Sequence, residues 1–170
     1  MDAAPRPDSP KGIQIDATTP TVDAPSGGLC ASSATCPTAL DLGTVSGDTG
    51  NATVTASGYL AGWYHLRVTE NDSGVFGVAM TVTVQLTSPA SEQYDVFLYV
   101  NTGTDAVECA TPSGSPTTAG TTESTKLNWG ESGSFSNGSD DSRTVSIEIR
   151  PKPGSCVAAQ PWQLTATGDT

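Results

Sequence analysis

GVAMTVTVQLTSPASEQYDVFLYV, from Gly77 to Val100, is the stretch whose reading decides the fold. In its first half Val78, Met80, Val82, Val84 and Leu86 share one parity, with Ala79, Thr81, Thr83 and Gln85 between them, the period-2 signature of a half-buried β-strand. Thr87-Ser88-Pro89-Ala90-Ser91 is a turn signal. After it Tyr94, Val96, Leu98 and Val100 fall on one parity and Phe97 and Tyr99 on the other, so both faces are apolar. A strand covered on both faces predicts a central position in a sheet, and the two halves together predict a central hairpin.

The same alternation recurs along the chain. Leu40, Leu42 and Val45 mark a short first strand, and Val54 marks a Thr-rich strand over 52–56 that Ser57-Gly58 interrupts. Trp63 to Thr69 alternates with Tyr64, Leu66 and Val68 on the core parity. Residues 125–129 form a short strand, and Thr144 to Arg150 turns Val145, Ile147 and Ile149 inward. Pro151-Lys152-Pro153-Gly154 stops that strand, and the chain closes on Trp162, Leu164 and Ala166 along one face. Seven to eight short strands, frequent turns and no long window of helical spacing predict an all-β fold: a single antiparallel β-sandwich, jelly-roll-like.

Composition divides the 170 residues in two. Residues 1–28 are rich in Pro, Asp and Ala and poor in large apolar groups, so they cannot bury enough surface to offset ordering and are predicted to be a disordered linker. Residues 29–170 form the β-sandwich domain. Four of the 18 acidic and two of the 7 basic residues precede Leu29, which leaves the domain at about −9 of the total −11. That balance disfavours nucleic acid and anionic lipid and is compatible with divalent cations.

Four cysteines in a small Lys-poor chain predict an oxidising compartment. Spacing leaves three pairings open. The simplest joins Cys30 to Cys36 around Ala-Ser-Ser-Ala-Thr and Cys109 to Cys156, which would pin the loop 101–120. Paired zinc knuckles are absent from the sequence. No apolar run is long enough to span a bilayer, and the Pro/Asp/Ala stretch is that expected of the stalk of an exported protein, or of a lipoprotein, whose natural signal has been removed.

The order of motifs resembles the bacterial pre-peptidase C-terminal domain family from about Thr38 to Thr167. Thr38-Ala39-Leu40-Asp41-Leu42 is similar to its first strand, and Gly62 to Val68 to its aromatic-led strand. Val84 to Pro89 followed by Tyr94 to Tyr99 is similar to its "L-x-x-P … D-x-D-L-x-L-Y" hairpin, and Trp162 to Thr167 to its closing "Y-x-L-x-V" strand. The resemblance implies a secreted, generally non-catalytic β-sandwich, some of whose relatives bind calcium and others matrix or polysaccharide. The acidic motif that precedes the first strand in calcium-binding members is replaced here by the Cys30/Cys36 turn, so no ligand carries over.

Candidate sites are sparse. His65 is the only histidine, on the polar parity of its strand, and there is no G-x-S-x-G elbow, so no catalytic group is assigned. Glu70, Asp72, Asp95, Glu131, Asp140 and Asp141 lie mostly in turns. Asp72, Asp140 and Asp141 are the candidate calcium ligands, although solvated turns are the ordinary use of such residues. Asp95, inside an apolar strand, needs a turn to cap, Arg67 or Arg143 to pair with, or a cation. Trp129 beside Gly130 is the tryptophan expected to be exposed for ligand stacking, with Trp63 on a polar parity as second candidate. The sequence thus predicts a non-enzymatic module, secreted or surface-tethered, that binds polysaccharide or extracellular protein. The alternatives are a subunit that self-associates through strand edges and, more distantly, a hydrolase.

Overall fold

The computed structural model describes residues 34–116, 120–131, 133–134, 138–153, 155 and 160–169. The predicted linker, Cys30 and Cys156 lie outside them. Among the described residues a 3-10 turn at Cys36–Thr38 precedes ten strands: β1 (Leu40–Ser46), β2 (Thr53–Gly58), β3 (Gly62–Thr69), β4 (Phe76–Gly77), β5 (Met80–Thr87), β6 (Tyr94–Tyr99), β7 (Thr122–Trp129), β8 (Gly133–Ser134), β9 (Arg143–Pro151) and β10 (Trp162–Gly168). The eight longer strands make two four-stranded sheets, ordered β1-β3-β9-β6 and β2-β10-β5-β7, and β4 pairs with β8 as a short ribbon.

The inward faces of the two sheets build one core. Leu66 and Val68 of β3, Val82, Val84 and Leu86 of β5, Val96 and Leu98 of β6, Ile147 and Ile149 of β9, and Trp162 and Leu164 of β10 are buried in a single cluster. Burying each such side chain stabilises the fold by about 1.5–3 kcal/mol. Alternation selects these residues because successive Cβ atoms point to opposite faces of a strand. The β10 strand passes so close to β1 that a Cβ on Gly168 would overlap the Ser46 carbonyl oxygen, which requires glycine there.

Connectivity departs from the sequence reading. Consecutive long strands alternate between the two sheets, so the predicted central hairpin does not form. β5 pairs with β7 and β10, β6 pairs with β9, and the chain between them arches from one sheet to the other. Met80 to Leu86 and Tyr94 to Leu98 face the same core from opposite sides, a burial pattern that hairpin partners would also show. Nor is β6 central: it is an edge strand whose outer face is covered by loops and rings instead of by flanking strands. One pairing, β1 with β3, is parallel and the rest are antiparallel. β2 runs through Ser57-Gly58 without interruption.

The cysteine pairing also differs from the expected one. Cys36 is bonded to Cys109 across a Cα separation of 6.0 Å, tying the turn before β1 to the loop after β6. Spacing in sequence did not measure distance in space: the parallel β1–β3 pairing and the β3-β9-β6 order carry the two ends onto the same outer face.

Candidate functional site

At one end of the sandwich, the turn between β2 and β3 forms the lip of a cleft of about 260 Å³. Leu40, Tyr59, Leu60, Trp63, Tyr64 and Trp162 supply most of its lining. Leu40, Tyr59 and Leu60 are large apolar groups left 59%, 48% and 42% exposed. The turn is held from beneath by two core side chains. The Tyr94 hydroxyl donates to the Tyr59 carbonyl at 2.7 Å, and the Trp162 indole N–H donates to the Leu60 carbonyl at 3.0 Å. Backbone groups that would otherwise be satisfied by water thus anchor the turn, and the Tyr59 and Leu60 side chains remain outside. Below them Tyr64 meets Trp162 edge-on at 5.8 Å. The same Tyr94 proton is shared with the Glu92 carboxylate, which accepts at 2.9 Å, and burial, with Glu92 second, pushes the Tyr94 pKa up to about 12.

Trp63, one of the two tryptophans singled out from sequence, lines this cleft. It is half-buried, with its ring 5.1 Å from that of Tyr99. Trp129 is not exposed. Its residual exposure is 5%, and its indole N–H donates to the Asp141 carbonyl at 2.8 Å. The β7 strand begins at Thr122, earlier than expected, and Trp129 shares the inward parity of Leu127, so the core claims it.

The acidic candidates are brought together only in part. Glu70, Asn71, Asp72 and Ser73 with Gly138, Ser139 and Asp140 line an open depression of about 450 Å³. Asp72 accepts from the Gly74 amide, and Asp140 from the Ser142 amide. The Ser142 hydroxyl and amide hold the Asp140 carboxyl below its usual range. Asp141 turns elsewhere: one oxygen accepts from the Glu131 amide at 2.9 Å and the other faces Arg143 at 3.5 Å. Glu70 accepts from the Asp141 amide at 2.6 Å, and Asp48 beneath accepts from the Asn71 and Asp72 amides. These carboxylates are engaged as turn anchors. Among the described residues no group of three or more His, Cys, Asp or Glu side chains has the arrangement to hold a metal ion.

Asp95 pairs with neither Arg67 nor Arg143. Lys152 reaches it at 2.9 Å and also reaches Glu123 at 3.0 Å. Glu123 is 1% exposed on the inward face of β7. Desolvation raises its pKa, the Lys152 ammonium opposes the rise, and Asp95 adds to it. Strand alternation does not reveal this lysine-bridged pair, because buried Glu123 occupies a position that alternation reserves for an apolar residue.

Across β1, β3 and β9, Asp41, His65 and Ser146 stand in register, a trio that alternation along single strands cannot assemble. They do not form a hydrolytic relay. Ser146 is completely buried with its hydroxyl 3.6 Å from the Cys36 sulfur, Asp41 accepts from the Gly43 amide, and buried His65 Nε2 has no hydrogen-bond partner among the described residues. A nucleophile must be within hydrogen-bond reach of its base and of substrate, and this hydroxyl is sealed under the disulfide.

Comparison with protein-family models finds no match, and comparison with curated proteins finds none either. Among solved structures the chain is similar to the pre-peptidase C-terminal domain of collagenase from Bacillus anthracis, with 8% identity, 76% of this chain and 94% of that chain covered, and a TM-score of 0.41.

Proposed function

We propose that this chain is a non-catalytic binding module of an exported protein, and that the cleft under the Tyr59-Leu60 turn receives an apolar side chain from a segment of an extracellular protein. The observation that carries the reading is an exposed apolar pair on an anchored turn. Leaving Tyr59 and Leu60 in water costs hydration free energy that partner binding recovers, and a turn fixed by Tyr94 and Trp162 loses little further entropy on binding. Aliphatic Leu40 and Leu60 beside aromatic rings suit a hydrocarbon side chain better than a sugar, which needs convergent polar groups for its hydroxyls. The buried Ser146 supports the non-catalytic part. The disulfide supports export to an oxidising compartment. Among the described residues no helix is long and apolar enough to cross a membrane.

The test is a panel of extracellular-matrix proteins and neutral polysaccharides immobilised for surface plasmon resonance, probed with the wild type and with Tyr59→Ser/Leu60→Ser. Protein binding that falls about tenfold or more in the double variant, with the melting temperature unchanged, is the expected result. Binding to polysaccharide alone, or protein binding indifferent to the double variant, overturns the cleft reading.

A further inference from the structure

A strand at the edge of a sheet presents unpaired N–H and C=O groups, and folded proteins block such edges with charges, proline, bulges or covering loops. The two sheets have four edge strands, β1, β6, β2 and β7. β1 is broken by a register shift between Asp41 and Thr44, where Gly43 adopts φ 97°. β6 is covered by the loop that follows it: the Leu98 amide donates to the Gly114 carbonyl at 2.9 Å, and the Ser113 amide donates to the Leu98 carbonyl at 2.7 Å. β7 carries Lys126 outward and Glu123 inward, two of the devices that discourage edge pairing.

Among the described residues nothing of this kind guards β2. Thr53-Val54-Thr55-Ala56-Ser57-Gly58 has no charge and no proline, and it pairs with β10 over six successive residues without a shift. It lies within a stretch from Asp48 to Arg67 that contains no other Asp, Glu, Lys or Arg. In a chain of net charge −11, a surface where two copies can meet without repulsion has to be of this kind.

The direction of the free groups follows from the ladder. The Gly168 amide donates to the Ala52 carbonyl at 3.1 Å, and Ala52 stands opposite Gly168 when the register is continued by one. Hydrogen-bonded pairs recur every second residue, so Val54 and Ala56 face β10, whereas the N–H and C=O groups of Thr53, Thr55 and Ser57 point away from it. The sequence of this edge is its own complement about Thr55. Antiparallel pairing with a second β2 places Thr55 opposite Thr55 and Thr53 opposite Ser57, hydroxyl against hydroxyl, and sets Val54 opposite Ala56 on the side that packs against the core.

We propose that two copies of this chain associate through β2, antiparallel about a two-fold axis at Thr55, to join their β2-β10-β5-β7 sheets into one continuous eight-stranded sheet. The interface is isologous and therefore closes at a dimer. It is independent of the cleft reading, because a ligand can occupy the cleft whether or not β2 is paired.

Sedimentation velocity of the full chain from micromolar to millimolar concentration tests it. The wild type dimerises, and more tightly as salt screens the charge of the two bodies. Thr55→Lys puts two ammonium groups across the axis and weakens association by about tenfold or more. Thr55→Pro removes an outward N–H and does the same, while both variants keep the wild-type circular dichroism. Thr165→Lys, one strand inward on the same outer face, dimerises as the wild type does. If Thr55→Lys fails to fold, Ser57→Lys serves in its place. A wild type monomeric throughout the range, or a dimer indifferent to both Thr55 variants, overturns the proposal.

Discussion

The Cys36–Cys109 bond closes a sequence separation of 73, and the stability it contributes can be worked out from that number. In the chain-entropy account a crosslink removes about 2.1 + 1.5R ln n cal/mol/K from the unfolded state, here about 15 cal/mol/K, or about 4.4 kcal/mol at 25 °C. Cys36→Ser, Cys109→Ser and the double variant therefore each lose about 4 kcal/mol, because all three remove the same bond. Pairing by sequence spacing predicts a different pattern. Cys36→Ser would open a separation of 6 and lose about 2 kcal/mol, Cys109→Ser would open one of 47 and lose about 4, and the double variant would lose their sum. The assay is guanidinium unfolding followed by circular dichroism, with the slope rising as the released chain exposes more surface. Additive losses in the double variant would refute the reasoning, as would a non-reducing digest that joins the Cys36 peptide to Cys30.

Three further outcomes are expected. Leu66→Ala leaves a cavity at a fully buried position between the sheets and costs about 2–5 kcal/mol in the same unfolding assay. Glu123 holds its proton more tightly in the folded state, chiefly through burial, so its contribution is fully present below the unfolded value of 4.5 and declines as pH rises through the folded value. The stability of the wild type minus that of Glu123→Gln, measured by denaturant titration at successive pH values, falls over that window; a flat difference would contradict it. Burial first, and then the hydrogen bond to Glu148, pushes Tyr99 up to about 12, and Tyr94 is raised likewise beside Glu92. Their stabilisation is complete below the unfolded value of 10 and is lost as pH rises towards 12. Ultraviolet titration therefore shows late phenolate formation, and Tyr99→Phe removes part of the late phase.

Much of the core was legible because burial in a strand follows a period of two. Tyr64, Leu66 and Val68, Val145, Ile147 and Ile149, and Trp162, Leu164 and Ala166 all point inward as alternation predicted. The failures share a cause. Val82 and Val96 face one core from opposite sheets, and parity is the same for a strand's neighbour in a sheet and for the strand across the core, so alternation alone does not distinguish a sheet-crossing arch from a hairpin. Gly130 beside Trp129 signals a loop mouth, but Trp129 lies on the inward parity of Leu127, and the strand parity prevails. The cleft had a signal that went unused: Tyr59 and Leu60, two large apolar residues, stand in a turn bounded by Gly58 and Gly62.

By itself the sequence determined which residues of most strands face the core, and that the chain is acidic, Thr-rich and layered in sheets. Those are local properties, set by side-chain chemistry and by a backbone that turns successive residues to opposite faces. The tertiary structure decided which strands are neighbours, that Cys36 meets Cys109, that Glu123 shares Lys152 with Asp95, and that β2 stands at the edge of its sheet. Each of these depends on distances between residues far apart in the chain, and such distances are fixed only when two sheets close on a common core.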